Sequence, residues 1–146
     1  MIKIEYPEPA FKIKTEGDKD FIFDTMRKKW LLLTPEEWVR QNFVQYLIRA
    51  KNYPAALIAL EKEITLGELK KRFDILIYDT NHQPWMMVEC KAASIDMNEA
   101  VLQQVLRYNI SVPVKYIIIT NGNITYGWDR DTELTAINEI PFWKQA

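Results

Sequence analysis

Hydrophobic residues recur along this chain with two spacings, one typical of helices and one typical of strands. Apolar side chains four residues apart, at Val39, Phe43 and Leu47, predict an amphipathic helix that runs to about residue 50. A second helix is predicted near residues 98–108. Apolar and β-branched runs bounded by turn residues predict strands at residues 10–14, 20–24, 56–64, 72–78, 85–91, 115–120 and 125–128.

The order of these elements predicts one α/β or α+β domain that spans residues 1–146. An N-terminal β-hairpin comes first, followed by a helix, three strands, a second helix and a second pair of strands. Continuous apolar runs at residues 75–77 and 117–119 favour a central sheet that is covered on both faces. We therefore expect a mixed central sheet flanked by helices.

The first predicted helix has a strong start signal. Thr34 suits the N-cap, Pro35 suits the first helical position, and Glu37 stands at the third, which completes a capping-box pattern. We therefore expect Glu37 to serve as a cap. Glu36 shares a helical face with Arg40, so we expect its carboxylate on the buried side.

Composition narrows the chemistry. The single cysteine, Cys90, excludes an internal disulfide and a cysteine-based zinc site, and the single histidine, His82, argues against a Ser-His-Asp triad. No GxxxxGK[ST] loop is present, so we expect no NTP-driven motor. The net charge of −1 means that any nucleic-acid contact must come from a local patch. Without a signal-peptide or membrane-span pattern, a soluble cytoplasmic protein is expected.

Three charged residues interrupt two of the apolar strands. Asp74 lies in the strand at residues 72–78, and Glu89 and Lys91 lie in the run MMVECK at residues 86–91. Alternation places Glu89 and Lys91 on one face and Cys90 on the other. Charges inside an apolar strand are costly unless they are paired or bound to a metal. Two carboxylates and a lysine suit a divalent cation and a phosphate, which is nuclease chemistry.

Each of these residues has a candidate role. Asp74 and Glu89 could be metal ligands, with the backbone carbonyl of Cys90 as a third and Glu36 as an additional acid. Lys91 could orient the attacking water or offset phosphate charge.

Other polar residues could support such a site. Gln104 and Tyr108 share one face of the second helix and suit a phosphate or the bracing of Lys91. The candidate phosphate contacts are basic residues just before Asp74 and on the second helix: Lys70, Lys71, Arg72 and Arg107.

Ordinary structural explanations stand beside these roles. Glu89 and Lys91 could form a solvated pair, and Asp74 could pair with Lys71 or Arg72. The basic run could be a solvated turn, and the Gln104–Tyr108 pair could be an ordinary half-buried one. His82 is expected at the surface of a turn, and the Cys90 thiol is expected to be a small buried hydrophobic group.

Six stretches together resemble a known family. They are IFDTMRKK (residues 22–29), LTPEEWVRQ (33–41), KRFDILIYD (71–79), VECKA (88–92), QVLRYN (104–109) and ITNG (119–122). The chain resembles the PD-(D/E)xK nuclease superfamily and, within it, the N-terminal domain of type I restriction enzyme R subunits in a small stand-alone form. The stretches span most of the chain in the family's order.

The resemblance implies a restriction-endonuclease-like αβββαβ core with Asp74 and Glu89 as Mg²⁺ ligands and Lys91 as the catalytic lysine. Glu36 matches the family's first-helix acid, and Gln104 with Tyr108 matches the QxxxY motif that similar nucleases place beside the active site. The chain departs from the pattern at residue 73, where phenylalanine replaces proline, and in lacking the DNA-translocating ATPase of full restriction subunits.

The sequence therefore predicts a Mg²⁺-dependent DNA endonuclease in which Mn²⁺ can substitute. Its expected partners are DNA, a separate specificity or motor protein, and a second copy of the chain. One alternative is a non-catalytic nucleic-acid-binding or assembly module that keeps the fold. Another is a structural subunit that docks on a larger protein through exposed aromatic side chains such as Trp128 and Trp143.

Overall fold

The computed structural model describes residues 1–8 and 10–144. Within those residues, nine strands, two α-helices and one short 3₁₀ helix follow one another along the chain. They are β1 (Ile13–Glu16), β2 (Lys19–Asp24), β3 (Lys29–Leu32), α1 (Pro35–Lys51), the 3₁₀ helix (Ala55–Leu57), β4 (Ile58–Leu66), β5 (Leu69–Tyr78), β6 (Pro84–Cys90), α2 (Glu99–Asn109), β7 (Tyr116–Thr120), β8 (Thr125–Arg130) and β9 (Leu134–Ile137).

Six strands form the central sheet in the order β4-β5-β6-β7-β8-β9. β6 and β7 run parallel and the other neighbours run antiparallel, so the sheet is mixed, as predicted. The sequence α1-β4-β5-β6-α2-β7 reproduces the expected αβββαβ order. A parallel pair needs a crossover connection, and α2 provides it between β6 and β7.

The N-terminal hairpin is part of a separate three-stranded antiparallel sheet, β1-β2-β3. β3 is absent from the predicted strands, because its four residues lie directly before the start signal of the first helix. It forms because its backbone pairs with β2, with Phe23 opposite Trp30. β9 was missed for a similar reason: it is a short, mostly exposed edge strand that is held by pairing with β8.

The two helices cover opposite faces of the central sheet. Val39, Phe43 and Leu47 of α1 are buried as predicted, and they pack in one cluster with Val88 and Cys90 of β6. Burying such side chains contributes roughly 1.5–3 kcal/mol each. α2 covers the other face, where its side chains pack on β7.

Thr34 caps α1 as expected, since its hydroxyl accepts a hydrogen bond from the Glu37 N–H at 3.0 Å. The expected return bond from Glu37 is wrong. The Thr34 N–H donates to the Leu32 carbonyl instead, and the Glu37 carboxylate accepts from Arg27, Arg40 and the amide of Gln41. Charged and amide donors 3–10 positions away thus outcompete the local cap.

Several surface expectations are resolved. His82 is exposed and the Cys90 thiol is buried, both as predicted. Trp128 and Trp143 are not exposed docking side chains, because each is half-buried and packs against a core cluster. No helix within residues 1–8 and 10–144 is long and apolar enough to cross a membrane.

Candidate functional site

Asp74 of β5 and Glu89 of β6 lie beside each other on neighbouring antiparallel strands. Ile75 pairs with Val88, so continuing the same register brings Asp74 opposite Glu89. The backbone N–H of Cys90 donates to Asp74 Oδ2 at 2.8 Å, which ties the Asp74 carboxylate to the end of β6. The fold therefore brings together the two acids that the sequence placed 15 positions apart.

Glu89 and Lys91 lie within ion-pair distance, with 3.6 Å between Lys91 Nζ and Glu89 Oε1. The Lys91 N–H donates to the Thr120 carbonyl at 2.8 Å, so β7 holds the lysine backbone in place. Both side chains line a cleft of about 330 Å³ together with Gln104 and Tyr108 of α2. The structure thus groups the second-helix residues with the Glu89–Lys91 pair, as the sequence predicted.

Three acidic side chains lie close together in this cluster, and two of them, Glu89 and Glu36, have raised pKa values. Burial, followed by the negative charge of Asp74, raises the pKa of Glu89 to about 7, and the positive charge of Lys91 offsets only part of the rise. The pKa of Glu36 is also raised, first by the partial burial of its carboxylate and then by Asp74, while Arg40 acts in the opposite direction. A proton or a cation near Glu89 relieves this repulsion.

Arg40 is a central residue of the site that the sequence analysis did not single out. Its guanidinium donates to Asp74 Oδ1 at 3.1 Å, and its side chain is only 5% exposed. Asp74 therefore pairs with Arg40, and the alternative pairing with Lys71 or Arg72 is wrong. The available signal was a charged residue on the apolar face of α1, four positions after Glu36.

Glu36 is close to the site but is not buried. Its side chain is 49% exposed, in contrast to the expectation from helical periodicity, and it stands in the first turn of α1. Arg40 donates to its carboxylate at 3.2 Å. Glu36 therefore shares one guanidinium with Asp74 while remaining open to solvent.

The basic residues before Asp74 divide into two kinds. Lys70 and Arg72 are exposed, as is Arg107 on α2. Lys71 is only 8% exposed, and its ammonium donates to the Tyr108 carbonyl and lies 4.3 Å from the Tyr108 ring centroid. Lys71 thus fastens β5 to the C-terminal end of α2 and is not free to meet a phosphate, which corrects the expectation for this residue.

The donor set suits a hard divalent cation bound partly by water. Mg²⁺ prefers oxygen ligands and commonly uses one or two carboxylates while keeping several waters. Asp74 and Glu89 supply such oxygens, and one oxygen of Asp74 already accepts from Arg40. Within the described residues, no three His, Cys, Asp or Glu side chains form a group that could hold a metal ion. The geometry therefore fits a two-carboxylate site and not a closed cage.

A comparison with models of known protein families identifies the family of this chain. A sequence model of the family described as the type I restriction enzyme R protein N terminus matches residues 35–141, well over half of the chain. A comparison with curated proteins found no match. The matched stretch runs from the start of α1 past β9 and contains Glu36, Arg40, Asp74, Glu89 and Lys91. The chain belongs to the type I restriction enzyme R protein N-terminal family.

Proposed function

We propose that this protein is a Mg²⁺-dependent DNA endonuclease of the PD-(D/E)xK type. The observation that carries the proposal is the meeting of Asp74, Glu89 and Lys91 on neighbouring strands, with the pKa of Glu89 raised to about 7 by burial and by Asp74. Acidic side chains with strongly shifted pKa values cluster at functional sites. Family membership supports a role in restriction-modification.

Asp74 and Glu89 would hold the cation, with the Cys90 carbonyl as a backbone ligand and Glu36 as an acid that approaches from α1. Bound there, Mg²⁺ supplies charge neutralisation for the phosphate and a more acidic water, and Mn²⁺ can take its place. About half of the Glu36 side chain is open to solvent, while its Oε1 accepts from Arg40.

Lys91 would act on the reacting groups directly. Its ammonium lies 3.6 Å from Glu89 at the rim of the cleft, where it can donate to an attacking water or to a phosphate oxygen. Its backbone is tied to β7, so the side chain is presented from a rigid element.

The cleft between β6 and α2 would receive the DNA backbone. Gln104 and Tyr108 line it with an amide and a phenol, and Tyr108 is 56% exposed. The exposed cations Lys70, Arg72 and Arg107 would meet phosphates, and Lys71 is excluded from this set because its ammonium is occupied. DNA specificity would come from a separate specificity or motor protein, because a domain of net charge −1 offers little of the basic surface that DNA-binding domains use.

The direct test is cleavage of supercoiled plasmid and single-stranded circular DNA in Mg²⁺, Mn²⁺ or EDTA. We expect cleavage that needs the metal and disappears in Lys91→Ala. Lys115→Ala is the matched control, because Lys115 is also a strand-side lysine paired with a carboxylate, Asp129, at 3.0 Å. No wild-type cleavage in either metal, or equal cleavage by Lys91→Ala, would refute the proposal.

A second candidate is a non-catalytic nucleic-acid-binding or assembly module. The observation that favours it is that both oxygens of Asp74 already have protein donors, Arg40 on Oδ1 and the Cys90 N–H on Oδ2. DNA binding that needs no metal and survives Asp74→Ala, with no cleavage by the wild type, would select this candidate over the nuclease.

A further inference from the structure

The N-terminal three-stranded sheet lies before residue 35, where the match to the family model begins, although residues 22–29 are among the stretches that resemble the family. A chain of buried and partly buried ion pairs nevertheless connects it to Asp74. We propose that Arg27, in the turn between β2 and β3, is a positioning residue for Asp74: it holds Glu37 so that Arg40 is aimed at the Asp74 carboxylate. The inference rests on the proposed function only in treating Asp74 as a site residue.

The connection begins at Asp24, which is fully buried at the end of β2. Its carboxylate accepts from the backbone N–H groups of Met26 at 2.7 Å and Arg27 at 3.1 Å, and from the Arg27 Nε–H. These bonds shape the β2–β3 turn and fix the stem of Arg27. The orientation of the guanidinium is therefore set by the N-terminal sheet.

The two terminal nitrogens of the Arg27 guanidinium donate hydrogen bonds to two further acids. One nitrogen donates to Glu37 Oε2 at 3.0 Å and the other to Glu61 Oε2 at 2.9 Å. Glu37 in turn accepts from Arg40 at 2.5 Å through its second oxygen, and Arg40 donates to Asp74 at 3.1 Å. Arg27 thus reaches Asp74 through two intermediates whose side chains are 8% and 5% exposed.

Glu61 closes the network from the other side. Its carboxylate lies 3.5 Å from Arg40 as well as 2.9 Å from Arg27, so it links the two guanidinium groups. It interrupts the regular pairing of β4 with β5, since the pairs Leu60–Ile75 and Lys62–Phe73 stand on either side of it. Its φ of 49° is a left-handed conformation that a non-glycine residue adopts only where its surroundings enforce it.

The geometry of the network requires an arginine at position 27. Three acids from different elements surround one planar guanidinium, and its fork of donors matches them simultaneously. A lysine would keep the charge but could not donate along three fixed directions. If the positive charge alone positions Glu37, Arg27→Lys should behave like the wild type. If the fork of donors is needed, Arg27→Lys should disturb the network as Arg27→Gln does.

The single cysteine provides a reporter of the Asp74 carboxylate that is independent of any cleavage. Cys90 is the chain's only cysteine, so ¹⁵N-cysteine labelling yields one amide resonance, and that amide donates to Asp74 Oδ2. The experiment records this resonance in metal-free wild type, Arg27→Gln, Arg27→Lys and Arg49→Gln, together with the urea midpoint of each. Arg49 is the control, because it is an exposed arginine of α1 that donates to the Glu8 carbonyl.

We expect the Cys90 resonance to move by more than its linewidth in both Arg27 variants and to stay in place in Arg49→Gln. If the Arg27 variants lower the urea midpoint while the resonance stays in place, Arg27 only stabilises the N-terminal sheet and the proposal is overturned. A resonance that moves in Arg27→Gln but not in Arg27→Lys would overturn forked positioning in favour of charge. A failed cleavage assay would leave this result unaffected, so the two proposals are tested separately.

Discussion

Asp74 and Glu89 lie side by side on neighbouring strands, yet the protein surrounds them differently. Asp74 accepts from a buried guanidinium and from a backbone N–H, so both of its oxygens are held by the protein. Among the residues that the structure describes, the one cation within ion-pair distance of Glu89 is Lys91, at the longer distance of 3.6 Å, and the neighbouring charge of Asp74 adds to the cost of ionising Glu89.

The difference indicates that Asp74 and Glu89 have different roles in the site. Asp74 is fixed in position by its donors, so its carboxylate is preorganised before any cation arrives. Glu89 keeps a proton up to about neutral pH, so the gain of a cation there competes with the gain of a proton. In this account Asp74 sets the geometry of the site and Glu89 sets its response to pH.

The largest effect is expected for Asp74→Asn, which removes the charge that faces Arg40. DNA cleavage should fall about a thousandfold or more, equivalent to roughly 4 kcal/mol of transition-state stabilisation. The free energy of unfolding should fall by about 1–3 kcal/mol, because a buried guanidinium loses one of its acids but keeps the others. Plasmid nicking rates and urea denaturation measure the two quantities.

Asp79→Asn is the control for this change, since Asp79 is the residue directly after β5 and caps the turn before β6 by accepting from the Asn81 N–H. It should leave the cleavage rate within about twofold. Equal losses of cleavage in the two variants would show that Asp74 has no special role in cleavage.

Glu89→Gln should also lower the cleavage rate strongly, but its effect on stability should have the opposite sign. The folded protein holds the Glu89 proton up to about pH 7 whereas the ordinary pKa of the group is 4.5, so the wild-type free energy of unfolding falls as pH rises between these values. A neutral glutamine side chain carries no such penalty, so the variant should gain roughly 1–3 kcal/mol on the wild type between pH 4 and pH 8. Parallel stability curves over this range would contradict the account.

Metal affinity should follow the same titration. Below about pH 7, Mn²⁺ must displace the Glu89 proton, so its affinity should rise up to about tenfold per pH unit and level off at higher pH. Electron paramagnetic resonance of free Mn²⁺ measures this affinity without requiring cleavage. In Glu89→Gln the affinity should be weak and nearly independent of pH over this range, and a persistent pH slope would assign the proton to another group.

The smallest expected effect is a difference between Lys70 and Lys71 in the salt dependence of DNA affinity. Lys70→Ala should reduce the slope of log DNA affinity against log salt by about 0.9, because an exposed cation that contacts a phosphate is lost. Lys71→Ala should leave that slope unchanged and lower the urea midpoint, since the Lys71 ammonium binds the Tyr108 carbonyl. Fluorescence anisotropy at several salt concentrations makes the measurement. An unchanged slope in Lys70→Ala would remove this residue from the DNA contacts.

The sequence predicted the parts of the fold that local patterns encode. The cap at Thr34, the buried stripe of α1 and the three central strands follow from spacings of a few residues, and the structure confirms them. β3 and β9 could not be predicted this way, because each has only four residues and exists through its pairing with a neighbour. The resemblance to a known family supplied the core order that periodicity alone leaves open.

The charged residues of the site show the same limit. Alternation predicted that the Glu89 and Lys91 side chains share one side and that Cys90 points to the other, and this holds although Lys91 follows the last residue of β6. The pairing of Arg40 with Asp74 joins residues 34 positions apart, so no local pattern contains it. Lys71 belongs to a basic run that is usually solvated, and only the packing of α2 on the sheet buries it.

The most direct test of the central claim is anomalous X-ray diffraction from crystals soaked in Mn²⁺ at pH 8, where Glu89 is ionised. We expect one anomalous peak between the carboxylates of Asp74 and Glu89 in the wild type, and none there in Glu89→Gln crystals treated in the same way. A wild type without a peak between these two carboxylates, and with Arg40 as the sole cation on Asp74, would contradict the claim that they form a metal site.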